Sequence, residues 1–441
     1  MGHFKPEDQV GNVRSPPEQR ITRLSAVTPV AAGWRPFLWV AAALVSGVMG
    51  TALASPLFPL YQRLWGLAPS TITLVFVAYM MGVLAAFLFL GRLPVHLGPV
   101  RQLRLALLLM LTGLLLSMLA GHVGVLILGR VCIGVASGLV TTAATLGLME
   151  LEPPRSRRFA PLVATAGSVF GFGCGPLLGG MIAQWGRTPL VTPYLAMLAA
   201  LAVVLAGLHS FRARGGTKPG FPSLRPRFVL PQRAARPAFL VGGFATFAAF
   251  SLFSLYAALA PSFVNELLPW RGPAVSGTAI AAILFCSAGA QMALRGLGAR
   301  GCALLGLALL AAAAALLAGT VLFASVILFA ASVLVAGAGH GLCFLAGMTI
   351  TEASAPAEER AGVLSCFFSI GYTGTVLPVL GVGLLADRLG LAAAVLAFCG
   401  LLGGGALLLL ACAHRLVGRP RPATASSPPA ASASAAPSRA A

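Results

Sequence analysis

Twelve apolar runs, most of them long enough to cross a bilayer, leave this chain one environment in which to fold. They fall near 37–59, 71–91, 102–120, 124–149, 160–184 and 189–209, then near 238–261, 273–294, 301–319, 322–352, 362–386 and 390–412. A helix needs about 20 such residues to cross the hydrocarbon layer. Runs of this length predict an all-α polytopic membrane protein with twelve transmembrane helices. The chain is 58% hydrophobic and 9% charged, too little polar surface to cover a water-soluble protein of 441 residues.

A net charge of +20 would suggest nucleic acid in a soluble protein, so the location of the charge decides. With a cytoplasmic N-terminus, 25 of the 30 basic residues fall in cytoplasmic segments, Arg63, Arg187, Arg271 and Arg388 fall outside, and Arg130 alone lies within a span. This bias places both termini in the cytoplasm. It also gives the basic residues the anionic inner leaflet as a partner, so no nucleic acid is needed. Trp65, Trp185 and Trp270 at the outer ends and Trp34 and Trp39 at the inner end of span one suit the headgroup layer. The expected location is the cell inner (plasma) membrane.

The eight cysteines all lie in apolar stretches without a C-x-x-C pair, which makes them small buried hydrophobes. No metal, cofactor or disulfide framework is expected. Residues 1–36 form a polar cytoplasmic segment without the apolar core of a cleaved signal peptide. Residues 413–441, rich in Pro, Ala and Ser, read as a disordered cytoplasmic tail.

The chain repeats itself at a shift of about 203 to 205 residues: "GVASGL" at 134–139 meets "GAGHGL" at 337–342, and Pro56 and Trp65 meet Pro261 and Trp270. Two six-helix halves, 37–209 and 238–412, joined by a cytoplasmic linker at 210–237, therefore form a parallel repeat about an axis along the membrane normal.

Three motifs resemble those of the major facilitator superfamily. "GRLPVHLGPVRQLR" after span two is similar to the family's G-x-L-x-D-R-x-G-R-R loop, keeping Gly91, Leu93 and Gly98 but carrying Val95 and His96 where the family has Asp and Arg. "GRVCIGVASG" in span four resembles its R-x-x-x-G motif. "GSVFGFGCGPLLGG", residues 167–180, resembles the G-x-x-x-G-P-x-x-G-G motif of span five. The resemblance implies transport of a small molecule by alternating access through a cavity lined by spans one, four, seven and ten. The span-five motif implies antiport. The altered loop puts in question the charge contact with which the family stabilises one conformation.

The residues themselves nominate a site. Arg130 lies one to two turns into span four, where a guanidinium costs at least about 2.5 kcal/mol, and shares a face with Gly134, Ser137 and Thr141. It either serves a cavity or snorkels to the outer headgroups. His340 occupies the place of Ser137 in the second repeat and is the only mid-span group of the second half that titrates near neutral pH. It is either a proton or substrate site or a packed histidine bonded to a neighbouring carbonyl. Span seven spaces Phe244, Phe247, Phe250 and Phe253 by three and adds Ser251, Ser254 and Tyr256, a stripe that reads as packing or as contact with an apolar substrate. No Asp or Glu lies mid-span, since Glu150, Glu352 and Asp387 all sit at helix ends. Any proton coupling would then fall to His340, Glu150 or Glu352.

In span five, Gly167, Gly171, Gly175 and Gly179 form a slowly turning groove beside Pro176 and Gly180. By resemblance this groove would meet Gly277, Ala281, Ala288 and Gly289 of span eight as a contact that opens and closes in each cycle. The leading expectation is a monomeric, proton-coupled exporter of small apolar or amphipathic molecules. Uptake of an organic anion through Arg130 is the first alternative, and a membrane sensor without transport the second. A membrane hydrolase fails, because no G-x-S-x-G turn occurs and no acid stands ready to orient His340.

Overall fold

The computed structural model describes residues 1–2, 33–153, 159–213, 215–216, 228–262, 272–355 and 359–416. The expected disordered tail, most of the N-terminal segment, Trp270 and much of the linker lie outside the described residues. Eleven stretches are long and apolar enough to cross a membrane, and one of them, Pro273–Phe323, has 51 residues. At about 1.5 Å per residue that is more than twice a bilayer core. It breaks at a 3-10 turn, Arg295–Leu297, into helices Pro273–Leu294 and Gly298–Phe323, which gives twelve spans.

Spans one to six are Trp34–Ala52, Pro69–Ala85, Pro99–Met118, Val123–Leu151, Phe159–Trp185 and Thr192–His209. Spans seven to twelve are Arg236–Ala258, Pro273–Leu294, Gly298–Phe323, Val326–Ala353, Arg360–Leu389 and Leu391–Leu416. Prolines open five of these helices within their first two positions. There the missing N–H has no partner to lose and the ring presets the helical φ. Span one runs further than its apolar run suggests: a 3-10 turn at Ser55–Leu57 containing Pro56 leads into a helix Phe58–Trp65 containing Pro59. Span two ends in a π-helical turn, Ala86–Leu90. Gly98, with φ +85° and ψ 145°, starts span three, and Gly298, with φ +68°, starts span nine. Both turns use left-handed backbone that a side chain would strain.

The twelve helices divide into two six-helix halves. Within the first, span four packs on spans one, two and three, and span five on span one; within the second, span ten packs on spans seven, eight and nine. The halves meet where span five lies against span eight and span two against span eleven. The repeat extends to helix ends. Arg104 of span three donates through Nη2 to the carbonyls of Leu208 and Phe211 at the end of span six, at 2.6 and 2.7 Å. Arg300 of span nine donates to the carbonyl of His414 in span twelve at 2.8 Å. In each half a guanidinium thus satisfies the orphan carbonyls, and the negative dipole end, of that half's last helix.

The glycine groove of span five does not face span eight. A Cβ at Gly171 or Gly179 would stand 2.6 Å from the carbonyl oxygens of Val45 and Leu53, and one at Gly175 would strike the carbonyl of Met49. All three neighbours belong to span one and its extension, inside the same half. The contact with span eight uses another face: Gly180 abuts the carbonyl of Pro273, Gly277 abuts that of Pro176, and a Cβ at Gly173 would meet the Phe285 ring at 2.6 Å. Gly289 faces open space. The expectation of a sliding groove at Gly171, Gly175 and Gly179 is therefore corrected. At about 100° per residue, Pro176 and Gly180 lie more than 90° around the helix from Gly175.

Among the described residues, the hydrogen bonds between halves cluster at the end of the bundle remote from the chain termini, called here the far end. Ser70 N–H donates to Asp387 Oδ1 at 3.1 Å, Ser262 Oγ donates to Gln62 Oε1 at 2.8 Å, and Ala274 N–H donates to Gln184 Oε1 at 3.5 Å. Toward the terminal end the halves touch through rings instead: Phe87, in the π turn of span two, stacks on Phe368 of span eleven at 6.0 Å and leans on Tyr372 at 6.2 Å.

Candidate functional site

Two side-chain clusters stand out, one in each half. In the first half, Arg130 is fully buried. Its Nη1 donates to the carbonyl of Thr51 in span one at 3.0 Å, and its guanidinium carbon sits 4.6 Å from the centroid of the Tyr79 ring in span two. Tyr61 and Tyr194 lie close enough to interact with its charge. Their hydroxyls are 3.2 Å apart, and Tyr61 also donates to the carbonyl of Ser117 at 3.2 Å. The Tyr79 hydroxyl lies beside the side chains of Thr51 and Ser137. Three of the five tyrosines of the chain thus lie near one cation, and the face of Tyr79 stabilises it where no carboxylate does. Nε and Nη2 of Arg130 are buried without a partner.

Snorkelling is excluded by this enclosure, since the guanidinium points into the half and reaches no headgroup. Ser137 is buried, while Thr141, one turn on, is half-buried and donates to the Ser137 carbonyl at 2.9 Å.

In the second half, His340 of span ten is half-buried in a wall of rings. Phe250 stacks on its imidazole at 5.5 Å and 16°, and Phe253 lies against it at 5.5 Å. Phe250 also stacks on Phe344 at 5.7 Å and meets Tyr372 edge-on at 5.9 Å, and Tyr372 touches Phe368 at 6.5 Å. Spans seven, ten and eleven supply this wall, with Phe87 reaching in from the other half. Every ring in it is half-buried, whereas the apolar packing residues around it are closed off. Nδ1 of His340 shares a 3.0 Å hydrogen bond with Ser287 Oγ of span eight, which accepts from Gln291 Nε2 at 3.2 Å. The imidazole therefore has one edge held by a polar pair and its face held by Phe250, an arrangement that fixes the ring.

Span seven divides its phenylalanines between two environments. A spacing of three turns back about 60° at each step, so Phe250 and Phe253 face His340, while Phe244, 44% exposed, and Phe247 line an outer groove with Phe398 and Leu401. Ser254 and Tyr256 are fully buried inside the second half; Ser254 donates to the Ser251 carbonyl at 2.9 Å, and Tyr256 donates to Ser332 Oγ at 2.7 Å. They are not brought to the ring wall. By the repeat, Tyr256 stands where the first half has Thr51, and Val333 where it has Arg130. Among the described residues no three His, Cys, Asp or Glu side chains converge as a metal site would require.

A twelve-helix bundle of two repeated halves, meeting through spans two and eleven and five and eight, is joined by one further finding: the sequence profile of the Major Facilitator Superfamily matches residues 38–318. The chain belongs to that superfamily. This transporter is 26% identical over 184 residues to the quinolone resistance protein NorA of Staphylococcus aureus, a match covering 41% of this chain and 46% of the relative. It is 27% identical over 158 residues to multidrug resistance protein 2 of Bacillus subtilis, covering 35% and 40% of the two chains. The match thus spans about half the length of these curated relatives or less. Its fold is shared by a bacterial homolog of the human lysosomal transporter Spinster in an inward-facing, unoccupied conformation, with a TM-score of 0.69, 14% identity and coverage of 87% and 97%. The peptide transporter POT in complex with sulfate shares it too, with a TM-score of 0.72, 13% identity and coverage of 88% and 97%.

The motifs of the transporter led to Arg130 and His340, and the structure surrounds each with residues that the motifs did not reveal. Thr51, Tyr61, Tyr79 and Tyr194 come from four separate elements, so no local spacing announces them. A weaker signal did exist for the ring wall: His340 with Phe344 and Phe368 with Tyr372 are pairs four apart, the spacing that places two rings on one helix face.

Proposed function

We propose that this transporter is an exporter of aromatic small molecules, neutral or anionic, that works by alternating access and exchanges its cargo for protons. The observation that carries the reading is the half-buried ring wall around His340 in a set of spans that hold no mid-span carboxylate. Rings bind planar apolar groups by stacking, at about 0.5–1.5 kcal/mol per pair beyond the area buried. An interior with Arg130 and no acid repels cations. The names of the relatives, a quinolone and a multidrug resistance protein, agree with a broad aromatic cargo.

The basic residues support termini in the cytoplasm and therefore a far end that faces outward. On that orientation the state described here is closed outward, and cargo enters from the cytoplasm. His340 is the proposed proton carrier, because it adjoins the ring wall and its Nδ1 is held by the Ser287 hydroxyl.

Everted vesicles with internal pH followed by a dye test this reading. Neutral and anionic aromatic compounds should accumulate and release protons from an acid-loaded lumen, and cationic analogues of the same size should not. Phe250→Ala should raise the half-saturating concentration about fivefold, and His340→Gln should abolish the proton signal. Accumulation of the cations alone, or transport indifferent to the proton gradient, would overturn the proposal. A second reading, uptake of an organic anion, has the two unpartnered nitrogens of Arg130 in its favour. Substrate-driven anion entry into right-side-out vesicles would establish it.

A further inference from the structure

A pocket of about 470 Å³ opens between spans three and six at the terminal end of the bundle, away from the ring wall and from Arg130. It is lined by Arg101, Arg104, His209, Ser210 and Arg212 among others, and no acidic residue contributes to it. Arg101 and Arg104 are one helical turn apart, and their charges lie close enough to repel one another. Arg104 is committed to the carbonyls that end span six. Arg101 and Arg212 are both exposed and make no ion pair among the described residues. Converging like charges without a carboxylate are stable when an anion joins them.

The same helix faces continue as exposed hydrocarbon. Leu105 and Leu108 follow Arg101 at the fourth and seventh residues and are 53% and 47% exposed; on span six, Val203, 62% exposed, lies two turns before Ser210 on the same face. A guanidinium cluster at one end of an exposed apolar strip has the two chemistries of a phospholipid, in the order that a phospholipid presents them. Free phosphate would use the charges and leave the strip unexplained.

We infer that the pocket between spans three and six binds the phosphate headgroup of an anionic phospholipid, whose acyl chains lie along Leu105, Leu108 and Val203. Arg104 ties the occupied site to the end of span six, so the lipid stabilises the packing of spans three and six. This inference needs only that the chain is embedded in a bilayer and stands apart from the direction or cargo of transport.

The test uses the full chain in a neutral detergent, titrated with phosphatidylglycerol, with phosphatidylcholine, or with inorganic phosphate. Bound lipid is counted by native mass spectrometry and the unfolding midpoint is followed in parallel. Phosphatidylglycerol should be retained and should raise the midpoint, and phosphatidylcholine should do neither. Arg101→Gln with Arg212→Gln should weaken phosphatidylglycerol binding about thirtyfold while leaving the midpoint in phosphatidylcholine unchanged. Arg212→Gln alone, beyond the helix end, should give a smaller loss and covers the case in which the double variant unfolds. Arg415→Gln, in the other half, should leave the affinity as it is. Equal phosphatidylglycerol affinity in the single, double and parent chains would overturn the inference. So would an equal rise in midpoint from inorganic phosphate, which would mark a site for free anions.

Discussion

Gly175→Leu is expected to remove most of the folded transporter from the membrane, and Gly180→Leu, five residues on, to leave it folded and inactive. A side chain at Gly175 strikes the carbonyl of Met49 in span one, and the flanking glycines press on Val45 and Leu53. This seam lies inside one half. Little hydrophobic drive exists between helices in lipid, so close backbone approach and dispersion hold them together. Forcing four extra carbons into such a seam costs about 3 kcal/mol, and backbone cannot move aside as a flexible side chain does. Gly180 meets the carbonyl of Pro273 across the boundary between halves. A leucine there blocks closure of the far end and spares the interior of both halves. Abundance and unfolding midpoint in detergent, measured beside transport, separate the cases. Normal abundance of Gly175→Leu with transport lost would show that the span-one seam itself moves during the cycle.

Arg130→Met is expected to keep or raise the unfolding midpoint and to lower transport at least about a hundredfold. A buried cation without a carboxylate is a weak source of stability, and a well-packed apolar side chain of similar volume often replaces such a group at no loss or with a gain of about 1–4 kcal/mol. Arg130 has one hydrogen-bond acceptor, the carbonyl of Thr51, one ring face, Tyr79, and two nitrogens with no partner. Methionine fills the space and makes its own contact with the aromatic rings. The expected loss of transport rests on the two unpartnered nitrogens, for which we propose a partner in another state of the cycle. A large fall in midpoint with transport per folded molecule unchanged would make Arg130 a structural cation only.

Sequence and structure agree where one helix suffices and part where several must meet. The spans were legible because bilayer thickness imposes a length, and even the long run Pro273–Phe323 was divided correctly by the charges Arg295 and Arg300. The repeat was legible because Gly134 and Gly337, in matching places of spans four and ten, each press on a neighbouring backbone, of Tyr79 and Ile283 respectively. The partner of the span-five groove was not legible. Glycine spacing shows that something approaches closely and carries no information about which helix does so. The ring wall was half legible, since Phe250, Phe253 and His340 stood out in their own spans, while Phe368 and Tyr372 join them through the packing of span eleven on span seven and Phe87 through the contact of spans two and eleven. Tyr256 misled for the same reason. Its polarity fits a cavity, and its hydroxyl is spent on Ser332 within the half.

The far-end contacts set how the molecule divides its time. Three hydrogen bonds at about 1 kcal/mol net each hold that end with about 3 kcal/mol, and water takes over every donor and acceptor when the end parts. Moving a two-state equilibrium from 1:99 to 99:1 takes about 5.5 kcal/mol of differential affinity. A latch of this strength lies well inside what one small ligand or one proton supplies, so the equilibrium can be reversed in each turnover by the passengers themselves. Because Ser70, Gln62, Ser262, Gln184 and Ala274 are all uncharged and Asp387 accepts from a backbone N–H, the balance between the two states should shift little with ionic strength.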